Sequence, residues 1–303
     1  MNKISINNIF TIGEVVYDIM LKNGQPVAAK PGGSMLNSAI SIGRSGLQVS
    51  FIGTCGQDKV GALISDFLSG NKVDTSFLHH GNSQSIIALA FLDEKNNASY
   101  SFYKGDKPPE QPPLPSPGPH DFVLFGSLYS VSHPSINTTT ELIKNASDQG
   151  ALIIYDPNFR DSHLPALPGV KPFIEENISG SNIVRGSDED FENIFGTESA
   201  VSTWELPCFK NCNVLIYTRS SDGVDLCTPG FRKHYPVPSI KPLSTIGAGD
   251  SFNAGIIVSM FENNINRYNI INCSEEVWDR IIEKGISFST AVCMSYDNYI
   301  SKP

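Results

Sequence analysis

The stretch Ser244-Thr245-Ile246-Gly247-Ala248-Gly249-Asp250-Ser251-Phe252-Asn253-Ala254-Gly255 runs from a glycine-rich turn into an apolar, periodic segment. Large apolar residues follow at Phe252, Ile256, Ile257, Met260 and Phe261, the spacing of one buried helix face. The turn therefore lies at a helix N-terminus. Gly247 and Gly249 carry no Cβ, so the amides of Gly247, Ala248 and Gly249 can converge on a ligand, and the helix dipole favours an anion there. A carboxylate in such a place would repel a phosphate. Asp250 makes physical sense if it takes a proton from a nucleophile that attacks the phosphate. The competing reading makes it a helix N-cap, a position that Asp often fills.

Other phosphate loops are excluded. The residues after Gly249 break the GxGxxG dinucleotide pattern, which would in any case belong to a first βαβ unit, and no GxxxxGK[ST] occurs anywhere in the chain. Upstream, short apolar runs at 9–13, 49–53, 122–125, 152–155, 182–184 and 214–218 read as strands. Between and after them, helical patterns cover 58–69, 135–148, 188–195, 251–263 and 276–293. Met35, Leu36, Ala39, Ile40 and Gly43 mark one more helix face, closed by Gly46 as a C′ glycine. This alternation predicts an α/β fold with a doubly wound, mostly parallel sheet flanked by helices.

Two stretches depart from the alternation. Residues 14–31 carry an Asn23-Gly24 turn, and 84–104 read as strands 86–92 and 98–103 around a polar loop. Neither hairpin can hide its apolar residues alone, which predicts a small β-sheet standing over the ligand edge of the main sheet as a lid. Residues 106–120 contain seven prolines and read as a stiff extended strap. The whole, 1–303, is expected to form a single domain with lid segments at about 14–31 and 84–104. Unpaired edges and apolar faces on a lid favour pairing, hence a homodimer through the lid.

At 303 residues, 40% hydrophobic and 17% charged, the chain can bury a sizeable core. A net charge of −9 argues against nucleic-acid or anionic-membrane partners. The six cysteines are scattered without zinc-like spacing and read as reduced thiols. With no signal-like apolar run and no stretch of transmembrane length, a cytoplasmic location is expected.

Near the N-terminus, Gly32-Gly33-Ser34-Met35-Leu36-Asn37 opens the first helix, and Gly13-Glu14 and Asp18 follow the first strand. Paired glycines permit close backbone approach, while Asn37 both donates and accepts. Such groups at the carboxyl ends of parallel strands suit a polyol; ordinary loop chemistry is the bland alternative.

Together these segments resemble the ribokinase-like (phosphofructokinase-B type) family of carbohydrate kinases. The likeness runs through Gly13-Glu14 and Asp18, Gly32-Gly33, Asn37, Gly43 to Gly46, Gly53 to Asp58, Asp156-Pro157-Asn158-Phe159-Arg160 and Thr245 to Asp250. The resemblance implies an ATP-dependent transfer of the γ-phosphate to a sugar hydroxyl with Mg2+ present. It makes Asp250 the base and Gly247, Ala248 and Gly249 the anion hole. Asp18, Gly32, Gly33, Asn37 and Arg160 would hold the sugar, a fructose-like ketohexose or a related sugar or sugar acid. Ser187, Thr218, Gly223, Thr245, Gly247 and Gly249 would meet the nucleotide, and Asp190 would act indirectly on the metal.

This chain also departs from the family pattern. Ser244 replaces the aspartate that commonly opens the glycine signature, removing a charge beside the nucleotide, and implies a weak response to potassium. Ser187 and Asp190 stand where Asn and Glu are common, and Arg219-Ser220 replaces a small aliphatic residue and a glycine. A nucleoside kinase on the same scaffold and a non-catalytic binding homologue are the rival functions.

Overall fold

A computed structural model of the protein describes residues 8–92 and 98–302. In chain order the first half contains strands β1 (Ile9–Ile12), β2 (Val16–Lys22) and β3 (Gln25–Gly32), helix α1 (Ser34–Arg44), β4 (Val49–Gly56), α2 (Lys59–Ser69), β5 (Val73–Asp74), β6 (Leu78–Gly81), β7 (Ile87–Leu92), β8 (Ala98–Tyr103) and β9 (Phe122–Gly126). The second half contains α3 (Ser135–Asp148), β10 (Leu152–Asp156), α4 (Leu167–Ser179), β11 (Ile183–Ser187), α5 (Asp188–Phe195), α6 (Ala200–Trp204), β12 (Val214–Thr218), β13 (Val224–Cys227), β14 (Arg232–Tyr235), α7 (Ala248–Glu262) and α8 (Glu275–Cys293).

Among the described residues the main sheet holds ten strands in the order β14-β13-β12-β11-β10-β9-β1-β4-β5, with β6 also on β4. Pairing is parallel from β12 to β5 and antiparallel only for β13 and β14. Every residue of β1, β9, β10 and β12 is buried, the continuous apolar run expected of strands covered on both faces. Alternate side chains enter opposite cores. Ile9, Leu124, Ile154 and Ile216 pack toward Leu36, Ile256 and Trp278 of α1, α7 and α8. Phe10, Val123, Phe125, Ile153 and Leu215 pack toward Leu142, Ile174 and Phe191 of α3, α4 and α5.

The sheet order reverses at β1, which lies between β9 on one side and β4 on the other. Such a reversal opens a crevice beyond the carboxyl ends of the strands. A second sheet, of order β3-β2-β7-β8, is built from the two expected hairpins, with β2 and β7 parallel at its centre. It exposes Val27, Phe91, Phe102 and Tyr103. Residues 106–120 form neither helix nor strand, as their prolines require.

The structure adds elements that the pattern did not show. Helix α4 carries Pro168 and Pro172, yet Pro168 lies at its N-terminal end, where a missing N–H costs nothing. The strands β5, β6, β13 and β14 are short and partly polar. Helix α7 starts at Ala248, not 251, so most of the glycine turn is the helix's first turn.

Candidate active site

Helices α1 and α7 meet at Asp250. Ser34 Oγ donates to Asp250 Oδ1 at 2.5 Å, and Asn37 Nδ2 donates to Oδ2 at 2.8 Å. Ser38 Oγ donates to the Asp250 carbonyl at 2.9 Å, fixing the same turn to α1. The N-cap of α7 is Gly247 at φ 80°, a left-handed conformation that glycine adopts freely. Asp250 is the third helical residue, and its carboxylate is held by side chains of another helix rather than by its own helix's amides. The N-cap reading therefore fails. Burial pushes the Asp250 carboxyl up to about 6, with the neighbouring charge of Asp156 adding to the rise and Ser34, Asn37 and Arg185 opposing it.

The glycines of the turn have tight surroundings. A Cβ on Gly247 would run into the backbone of Asn298, and one on Gly249 would stand 2.7 Å from Arg185 Nη1. The Ala248 N–H closes the turn onto the Thr245 carbonyl at 3.2 Å. The amides of Gly247 and Gly249 have no hydrogen-bond partner among the described residues. An α-helix leaves such first-turn donors free for an anion.

Beneath the turn lies a charged network centred on Arg185, a residue that the sequence reading did not single out. Arg185, on β11, donates through Nη1 to Asp156 Oδ2 at 3.0 Å and through Nη2 to Thr218 Oγ1 at 2.7 Å. Asn253 Nδ2 reaches the same Asp156 oxygen at 2.6 Å, and the Asn158 N–H donates to Oδ1 at 3.0 Å. Three carbonyl-end strands and α7 are thereby joined. The one available signal was a charged residue inside the apolar strand Ile183–Ser187, a place where charge is rare unless paired.

On the other side stands the small second sheet. Asp18 on β2 lies opposite Lys30 on β3 and beside Gly32, whose missing Cβ leaves room for the Asp18 carboxylate. Burial pushes Asp18 up to about 6, and the Lys30 ammonium opposes the shift. Gly33, at φ 138°, packs on the Glu14 carbonyl. Asn37 is buried, and its Oδ1 has no partner, so an acceptor aimed at this region is left unsatisfied. Glu14 forms an ion pair with Lys104 at 3.1 Å, and both line a cavity of about 560 Å³. Gly13, Ile86, Pro108 and Tyr129 also line it, so the proline strap forms one wall.

The remaining predicted residues are more scattered. Ser187 and Asp190 form a reciprocal capping box: Asp190 N–H donates to Ser187 Oγ at 3.1 Å, and Ser187 N–H donates to Asp190 Oδ2 at 2.7 Å. Asp190 Oδ1 accepts from the Phe159 N–H at 2.6 Å, so both carboxylate oxygens are engaged. Thr218 is held by Arg185, Gly223 turns at φ 99° against the Tyr235 carbonyl, and Thr245 is exposed. Arg160 is exposed and lies 3.7 Å from Glu189, a surface ion pair. The arginine that meets the glycine turn is Arg185. Among the described residues no group of three or more His, Cys, Asp or Glu side chains could hold a metal ion, and no helix is long and apolar enough to cross a membrane.

The chain is similar to several known kinases. Probable fructokinase-2 of Arabidopsis thaliana is 24% identical over 270 residues, 82% of this chain and 80% of that protein. Aminoimidazole riboside kinase of Salmonella typhimurium is 22% identical over 271 residues, 86% and 83% of the two chains. The crystal structure of a fructokinase from Vibrio cholerae O395, in a form with bound fructose, ADP and calcium, superposes with a TM-score of 0.83 at 20% identity, covering 99% of this chain and 96% of that one. Its likeness confirms the ribokinase-like fold with the small second sheet. The sequence model described as pfkB family carbohydrate kinase matches residues 7–266, most of the chain. With that match spanning most of a chain that carries the glycine turn, a buried aspartate and a small second sheet, the protein belongs to the pfkB family of carbohydrate kinases.

Proposed function

We propose that this enzyme transfers the γ-phosphoryl group of ATP to a hydroxyl of a fructose-like ketohexose or a related sugar or sugar acid. The observation that carries the reading is the Asp250 carboxylate, oriented by Ser34 and Asn37 within a helix turn whose Gly247 and Gly249 amides are free. Asp250 takes the proton of the acceptor hydroxyl as the oxygen attacks phosphorus. The free amides and the α7 dipole hold the negative charge that builds on the transferring group. Asn37 Oδ1 and the Asp18 carboxylate accept hydrogen bonds from other sugar hydroxyls, and the lid excludes water that would otherwise take the phosphoryl group.

The donor set suits magnesium brought in on the nucleotide phosphates, the ion's usual mode of binding, since the described residues contain no ready-made metal cluster. Magnesium would supply charge neutralisation on those phosphates. Asp190 contributes only by fixing Ser187 and the Phe159 backbone.

A coupled assay of ADP release with ATP and magnesium, run against ketohexoses, sugar acids and ribosides, tests the assignment. Sugar-dependent turnover with at least one hexose or sugar acid is expected. Nucleotide binding without turnover on any acceptor would point instead to a binding protein, and turnover confined to ribosides to a nucleoside kinase.

A further inference from the structure

Arg185 touches neither a free amide of the glycine turn nor the Asp250 carboxylate, yet it is placed to govern both. It is 8% exposed, and its guanidinium fills the space that a Gly249 side chain would need, one residue before Asp250. It rises from β11 between Asp156 on β10 and Thr218 on β12, using one N–H on each, while its Nε is buried without a partner. The ring of Phe252, two residues past Asp250, lies 5.7 Å from the guanidinium carbon.

The surroundings of Asp250 can be enumerated by element. From α1 come the neutral Ser34 and Asn37. From β10 comes the charge of Asp156, which opposes ionisation, and from β11 the charge of Arg185, which favours it. Helix α8 meets α7 further along, where Gly255 packs on Gly285. Asp190 of α5 is a third buried carboxylate in the same interior, and it too feels both Asp156 and Arg185. Buried carboxylates gathered this closely cannot all stay charged without a counter-charge.

We propose that Arg185 is a positioning residue of this kinase: its guanidinium offsets Asp156 so that Asp250 stays ionised, and its fork locks Asp156, Thr218 and the glycine turn into one geometry. The inference rests on Asp250 as the base for its meaning in catalysis, but its electrostatic part can be read without catalysis. In protein labelled with 13C-aspartate, the Asp250 carboxyl signal, assigned with Asp250→Asn, is titrated without substrate.

Arg185→Gln should raise the Asp250 midpoint by more than about 0.3 pH unit, since it leaves the Asp156 charge unopposed. The acid limb of kcat/KM should move by the same amount. Arg185→Lys keeps the charge but not the fork, so the midpoint should stay within about 0.3 unit while kcat drops roughly tenfold. Asp156→Asn, which needs no change at Arg185, should move the Asp250 midpoint down. A folded Arg185→Gln protein with an unchanged Asp250 midpoint overturns the proposal, as does an unchanged or raised midpoint in Asp156→Asn. Should Asp250→Asn turn over normally, the base assignment falls while the titration still decides the role of Arg185.

Discussion

Replacing Asp250 by Asn isolates the single property that the proposed base role asks of this residue. The amide keeps the volume and one acceptor for Ser34 or Asn37, but it cannot take a proton. Turnover should fall by about 10²–10⁴-fold while ATP binding and melting temperature stay near wild type. Retention of more than about a tenth of wild-type turnover by the folded variant, measured by steady-state kinetics on the true acceptor, would remove the base assignment. This residue stood out because Thr245 to Asp250 resembles the family's signature; the glycine turn and carboxylate alone left helix capping equally open. Arg185 did not stand out: nothing in the run Ile183 to Ser187 tells that the side chain turns inward to meet Asp156, Thr218 and Gly249. Its role exists only where three strands and a helix converge. Arg160, which does sit in a recognisable motif, faces solvent instead.

Among the elements, the lid carries the sharpest expectation. Strand β7 joins the β2–β3 hairpin to β8, and its Ala88 and Ala90 are buried, so removal of residues 86–103 takes away half of the small sheet. Acceptor affinity should drop by tenfold or more, roughly 1.4 kcal/mol, because Asp18 loses its neighbouring strand. Nucleotide affinity, assigned under the proposed function to Thr218 and the glycine turn, should change much less. Calorimetric titration of both ligands into a protein with native circular dichroism decides it: equal losses would reject the lid role. The hairpins were visible because Asn23-Gly24 and alternating apolar residues are local signals. Helix α4 was hidden by its own prolines, and β13 and β14 by polar residues such as Arg232, Lys233 and His234 that only an antiparallel edge tolerates. The start of α7 was misjudged for a different reason: Gly247 and Gly249 are poor helix formers, and it is contact with Arg185 and with α1 that draws residues 248–250 into the helix.

For the whole molecule, pH should drive activity and stability apart. Burial pushes both Asp18 and Asp250 up to about 6, and raises Asp190 as well, from an ordinary value of 3.8. In that interval the folded chain binds more protons than the unfolded chain, so these groups add stability as pH falls from about 7 toward 5. His163 is lowered by burial and by Arg160, and it opposes the gain below its ordinary 6.5. With Asp250 as the proposed base, activity should decline through about 6. Thermal melts and kcat/KM collected over the same window should therefore diverge, with melting temperature level or rising while kcat/KM falls. Parallel loss of both would mean that acid unfolding, not protonation of the site, limits the enzyme.

The two partners of the Asp250 carboxylate, Ser34 and Asn37, lie 216 and 213 residues upstream of it. A ribosome finishes α1 long before α7 exists, and such distant pairings close late in folding. Until they close, the Asp250 carboxylate lacks both of the side chains that orient it. Recovered turnover after refolding is therefore a clock for the last long-range closure rather than the first.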